Sequence, residues 1–511
     1  MGKPVALLAL ALFVATIAVA VLAVGSMRED SATADEAAHI AAGLLKVREG
    51  RIDVYSTQTP LIEMLIATPL AMNGYRVPEV WERYGNRPWV AGELVLHRAG
   101  YDSQRILRMA RLPVIAMLIA LCFAVWAFVR DATGNDVAAI GGFVLTGFCP
   151  TLLAHGRLAT VDMGVTLFGF VATWLLLRLL RAPSVPLAIL FGVAVACTLA
   201  AKVSGALFVP FFVIVVVMWW RRGRQRHQPA RTPALLVAII TCIVVFAAIY
   251  LGHPEMYLDQ VRAVRSFYTG NPLPQFLLGE FSQEGWPHYY LVAMAVKTPL
   301  PALMLLAIGL SRTRKFEAVL CVLFAVLFMA VSAFSSLNLG IRHILPIYPF
   351  LYAACAISLA VASRKLQITA GVLVVAHALS AVIAYPSYIS YFNPLIGSHR
   401  NADRVLIDSN LDWGQDLRRL ATWARLNDVE QLRVHYFGAG SVERELGARG
   451  VRWPAPRREP LPRGWFAVSR HFYRLSFLPA RSPMDYDTYL RASAARYVTT
   501  IGGSLDVYRV Q

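Results

Sequence analysis

Eleven stretches of this chain stay apolar for the roughly 20 residues that a helix needs to cross a bilayer. They lie near 5–25, 107–129, 136–153, 159–180, 184–201, 203–220, 233–251, 288–310, 316–335, 343–361 and 366–385. The reading they impose is a polytopic α-helical membrane protein with about eleven transmembrane helices. Of the 511 residues, 57% are hydrophobic and only 16% charged, whereas a soluble domain carries about 25% charged residues. That balance excludes a disordered chain, a coiled coil and an ordinary soluble enzyme. The pair of runs at 184–220 is separated only by Lys202. The first run is longer than the apolar core of a cleaved signal peptide, so a retained signal-anchor is expected.

Basic residues in short loops set the orientation. With Lys3 inside, the loops 221–232 (RRGRQRHQPAR), 311–315 (SRTRK) and 362–365 (SRK) all fall on the cytoplasmic side. The other side receives three large pieces, 26–106, 252–287 and 386–511. The expected localisation is therefore a plasma (inner) membrane, with the N-terminus cytoplasmic and the C-terminal part periplasmic or otherwise extracytoplasmic. Two domains follow: a transmembrane domain over 1–385 and a small outer α/β domain over 386–511.

Within the first outer loop, 34–49 reads as an apolar helix lying along the membrane and stopped by Gly50, and Pro60 to Met72 as a second. The tail carries 18 Arg, no Lys and 12 Asp+Glu. It reads as strand 405–409, helix 412–427, strand 432–438, a short helix from Ser441, strand 465–472 and a strand pair within 497–510.

The net charge of +18 fits basic cytoplasmic loops and anionic lipid or phosphate partners. Nucleic acid is not an expected partner, because no basic run is interleaved with aromatic residues. All six cysteines sit inside apolar runs, so no disulfide framework or zinc spacing is present.

Four features carry potential chemistry. Asp35-Glu36, just after the first run, would supply a general base. Thr33-x-x-Glu36 equally fits a capping box, and the two readings are compatible. In His155-Gly-Arg157 and Asp162, ionisable groups enter the membrane and face either a cavity or each other as a helix-tying pair. Lys202, Lys297, Arg342 and His343 stand at outer span ends, where they would hold a phosphate or merely snorkel to headgroups. In DSNLDWGQD (408–416), Asp412 with Gln415 fits a second capping box, whose loss would cost about 1 kcal/mol. No nucleotide-binding loop or Ser-His-Asp spacing occurs, so an activated substrate would have to arrive ready-made.

These pieces resemble, in order, the polytopic lipid-carrier-dependent glycosyltransferases of the protein O-mannosyltransferase and aminoarabinose-transferase superfamily (the GT-C class, family 39-like). The matching segments are 35–71, 155–163, 199–210, 284–301, 339–350 and 388–417. The resemblance implies a membrane glycosyltransferase that passes a hexosyl or pentosyl group from a polyprenyl-phosphate donor to a lipid, glycan or protein acceptor at the outer face, with inversion expected. It makes Asp35 the general base, with Glu36 beside it. It makes His39, His155, Arg157, Asp162, Lys202, Lys297, Arg342 and His343 the substrate-binding set. It names no definite cofactor; a divalent metal near Asp35, Glu36 and His39 stays open, since three residues on one helical turn do not make a site. The tail is not a β-trefoil, which puts a protein acceptor in doubt. Two rival readings remain: a transporter or flippase of a lipid-linked or anionic substrate, and a diphosphate-carrier oligosaccharide ligase or polymerase. The absence of an inverted repeat speaks against the first, and the early Asp-Glu against the second.

Overall fold

The computed structural model describes residues 3–55, 57–85, 87–222, 231–270, 274–335, 337–454, 456 and 459–511. Every expected span forms a helix, but not all are long. Among the described residues seven helices are long and apolar enough to cross a membrane: Ala6–Met27, Ser103–Thr133, Asp162–Arg181, Val203–Arg222, Thr232–Ile249, Phe316–Ala333 and Arg364–Ala384. The apolar pair Tyr289–Lys297 and Leu300–Leu310 is bent by 116°, as a broken span or a re-entrant loop would be; the Pro-rich sequence at 299–301 explains the break. The remaining three expected spans are shorter apolar helices, Asp136–Gly147, Val185–Ala201 and Ile347–Ala360. A count of eleven crossings is therefore not fixed by the structure. Lys202 does interrupt its run: the backbone there is extended, and a 3-10 turn, Val203–Leu207, restarts the helix.

Both first-loop helices form, as Glu36–Glu49 and Pro60–Met72, and Gly50 ends the first in the left-handed conformation at φ 69°. Pro60–Met72 buries one face and leaves Thr68 and Met72 exposed, but Glu36–Glu49 does not behave as a half-exposed surface helix. Residues Glu36 to Lys46 are all buried, packed between Pro60–Met72 and the short helix Pro88–Glu93. Gly43 and Gly92 make this possible. A Cβ on Gly43 would collide with the Glu63 carbonyl oxygen, and one on Gly92 with that of Ala37.

The tail builds a five-stranded mixed sheet in the order Gly450–Arg452, Leu432–His435, Gly464–Ser469, Leu505–Val510, Ala495–Ile501. The first three strands run parallel and the last two pair antiparallel. Ser441 caps the expected short helix Val442–Leu446. Two expectations fail nearby. Residues 405–409 are not a strand but the end of a helical turn, Ala402–Val405, and the start of a 3-10 turn, Asp408–Asn410. The following helix starts at Leu417, not 412. The reason is local: Gly414 takes φ 92° and its backbone lies against Gly438, which holds 412–416 as a loop.

Asp412 is consequently no helix cap. Its carboxylate is fully buried and accepts from the Ser469 hydroxyl, the His471 amide at 3.2 Å and the Gly414 amide at 3.1 Å. Asp412→Ala would strand three buried donors, so the expected loss is about 3 kcal/mol or more, measured by denaturant unfolding of the full chain in nanodiscs. A loss near 1 kcal/mol would restore the capping account.

Candidate active site

The linker from Met27 to Asp35 joins the first span to the buried helix Glu36–Glu49, and ion pairs fix its path. Arg111, inside the span Ser103–Thr133, spends all five of its donors here. It grips the Glu36 carboxylate at 2.7 and 2.6 Å and the carbonyls of Met27, Asp30 and Ser31 at 2.9 to 3.2 Å. Glu36 also accepts from the amides of Thr33 and Ala159. Burial alone would raise its carboxyl; Arg111 and these amides hold it below the usual carboxylate range. Only half of the expected capping box exists, since the Thr33 hydroxyl donates to Glu36 instead of capping an amide. Glu36 is fully buried in this cluster and does not line the cavity described next.

Asp35 does. A cavity of about 870 Å³ opens between the membrane helices, the first-loop helices and the tail. Its polar wall presents Asp35, His39, Lys202, Arg342, His343 and Asp408. Its apolar wall includes Val203, Leu207, Val264 and Leu339, and Trp413, Phe437 and Phe472 close it from the tail. The Arg342 guanidinium lies 3.0 Å from the Asp35 carboxylate, 3.8 Å from that of Asp162, and 4.4 Å above the Trp413 ring. Lys202 reaches Asp162 at 2.5 Å.

The remaining expected residues stand elsewhere. Arg157 does not pair with Asp162 but with Asp30, beneath the linker. His155 is buried behind the cavity, 6.1 Å from the Trp413 ring. Lys297, expected at a carrier phosphate, instead donates to the carbonyls of Ile389 at 2.7 Å, Tyr391 at 2.5 Å and Asn410 at 2.6 Å. It anchors the tail's first segment to the bent span. The residues considered for a metal do not fit one: Asp35 faces Arg342, Glu36 faces Arg111 and His39 faces Glu63. Among the described residues no group of three His, Cys, Asp or Glu side chains converges on a metal site.

Sequence reasoning passed over Asp30, Arg111, Glu63 and Asp408. Arg111 carried a readable signal, an ionisable residue inside an apolar run. Asp408 lay in the DSNLDWGQD segment but had no signal of its own; its place in the wall depends on a turn with φ 58°, a region that non-glycine residues rarely occupy. Two bonds seat that turn, Ser409 Oγ to the Leu339 carbonyl at 3.1 Å and the Ile341 amide to Asn410 Oδ1 at 2.9 Å.

The family model described as dolichyl-phosphate-mannose-protein mannosyltransferase matches residues 105–250, which include Arg111, Arg157, Asp162 and Lys202. Over nearly the whole chain the fold is similar to ArnT from Cupriavidus metallidurans in the apo state, with a TM-score of 0.52, 14% identity and 98% of each chain covered. It is also similar to that ArnT bound to undecaprenyl phosphate, with a TM-score of 0.51, 12% identity and the same coverage. No curated protein matches. The expected resemblance is met: the chain has the GT-C fold of the protein mannosyltransferase and ArnT type, with a small C-terminal sheet domain.

Burial pushes the Asp408 carboxyl up to about 6, with Arg342 opposing and Asp35 adding to the rise. A carboxyl raised in the folded state favours folding at low pH, and that contribution is lost as pH climbs through about 6. Asp408→Asn should therefore gain thermal stability relative to wild type between about pH 4 and 6 and hold that gain above. Thermal unfolding across this range checks it; a difference independent of pH would contradict it.

Proposed function

We propose that the protein is a membrane glycosyltransferase that moves a sugar from a polyprenyl-phosphate donor to an acceptor at the outer, periplasmic face. The observation that carries the reading is the pairing of Asp35 with Arg342 in a cavity that also holds Lys202 and has one apolar wall. Support also comes from the fold shared with an ArnT that binds undecaprenyl phosphate.

The chemistry follows from charge. A glycosyl phosphate loses a phosphate leaving group, and cations are needed where its charge grows. Lys202 and Arg342 are two cations of the polar wall, each already facing a carboxylate. An arriving phosphate competes for Arg342 and displaces Asp35 from it. The freed carboxylate then takes the proton from the acceptor hydroxyl as that oxygen attacks the anomeric carbon. Attack from the side opposite the phosphate inverts the centre. The carrier's isoprenoid chain lies against Val203, Leu207 and Val264. Glu36 keeps the linker in place and takes no proton, because Arg111 and two amides already occupy its oxygens.

The test is release of free polyprenyl phosphate from synthetic polyprenyl-phosphate sugars by protein in nanodiscs. Wild type should release it, and Asp35→Asn should fold normally yet lose at least about 100-fold in rate. Equal rates for the two proteins would remove Asp35 as base. No release by folded wild type from any donor and acceptor pair would instead favour a transport function.

A further inference from the structure

One buried chain of polar groups has no part in the mechanism above. Glu63, on the helix Pro60–Met72, is fully buried. Its Oε2 takes the Lys46 ammonium, whose Nζ also donates to the Val54 carbonyl at 2.8 Å. Its Oε1 lies 2.9 Å from His39 Nδ1. Lys46 and Glu63 have no exposed side-chain surface. The chain ends in the cavity, because His39 lines it one helical turn beyond Asp35.

The arrangement fixes the imidazole. An ionised carboxylate only accepts hydrogen bonds, and Lys46 keeps Glu63 charge-balanced. In the neutral ring the proton therefore sits on Nδ1, and Nε2 is the lone-pair nitrogen left for a ligand. The ring plane is held too. It packs against Tyr55 at 5.2 Å, and Tyr55 packs against Trp89 at 5.0 Å. Tyr55 adopts φ 60° to do so, a strained conformation for a bulky residue that clusters at ligand sites. Tying two helices together needs only the Glu63–Lys46 pair. It requires neither an imidazole in the cavity wall nor an aromatic wall of Tyr55 and Trp89 beside it.

Building on the glycosyl-transfer reading, we propose that His39, oriented by Glu63 and Lys46, accepts a hydrogen bond through Nε2 from a sugar hydroxyl next to the reacting centre. Residues four apart on a helix have side chains about 5–6 Å apart at their bases. Asp35 and His39 thus present two acceptors spaced for neighbouring hydroxyls of one sugar, and Tyr55 and Trp89 offer it apolar faces. The sugar is either the one being transferred or a glycan acceptor.

Two substitutions separate this role from a structural one. The amide of His39→Asn reaches only the Nδ1 position and keeps the bond to Glu63. The amide of His39→Gln reaches the Nε2 position. The proposal expects His39→Asn to fold as wild type yet lose roughly tenfold in kcat/KM, the value of one hydrogen bond. His39→Gln should retain most of it. The reverse order, or two equally active variants, overturns the proposal. A rise in KM for the donor assigns the hydroxyl to the transferred sugar; a rise for the acceptor alone assigns it to a glycan acceptor. Nitrogen NMR of labelled histidine supplies a readout that survives even if wild type transfers no sugar. A proton on Nδ1 alone is expected, and one on Nε2 sinks the idea.

Discussion

The structure rests on a layer of buried ion pairs under the linker between the first span and the first buried helix. Arg111 holds Glu36 and three carbonyls of the linker. Arg157 holds Asp30 from one side, and Arg419 of the tail holds it from the other at 2.8 Å while also pairing with Asp416. Breaking such a pair by removing one partner leaves a charge without compensation, which costs about 3–5 kcal/mol. The pairs therefore dictate where the linker runs, and with it where Asp35 projects.

The same layer joins the tail to the membrane part. The Ser31 amide donates to the Gln415 carbonyl at 2.9 Å, the Ala34 amide to the Trp413 carbonyl at 3.0 Å, and the Arg418 amide to Ser31 Oγ at 2.8 Å. Lys297 clasps the segment that leads into the tail. The DSNLDWGQD segment is thus a wall of the cavity, contributing Asp408 and Trp413, on which Arg342 rests. Lys202 and Arg342 face carboxylates before any ligand enters, so a phosphate that binds to them has to exchange partners with a carboxylate. That exchange is the physical link between holding a donor and freeing a base.

Much of this was legible in the sequence. Length and apolarity located the seven long apolar helices seen among the described residues, and the order of motifs pointed to the GT-C fold. The position of Asp35 after the first span, and of Lys202 and Arg342 at span ends, put them on the outer side, and the structure brings them to one cavity wall. What the sequence hid were partners. Arg157 and Asp162 are close in sequence, yet each pairs with a distant residue, Asp30 and Lys202. Lys297 has the local signature of a phosphate ligand, but the carbonyls that claim it come from 389–410. The helix Glu36–Glu49 has the periodicity of a surface helix, and only the glycine contacts with neighbouring backbones show that it is buried. Tail boundaries slipped where Gly414 turns the chain against Gly438. Periodicity records local preference, whereas ion pairing and close backbone approach are settled by tertiary contact.

The central claim is that a carrier phosphate binds in the cavity beside Asp35. A cryo-electron microscopy structure of the protein in nanodiscs with added polyprenyl phosphate tests it most directly. The account predicts phosphate density in contact with Arg342 and Lys202, the isoprenoid chain along Val203 and Leu207, and a broken Asp35–Arg342 pair. Phosphate density at another surface, with that pair intact, would contradict it.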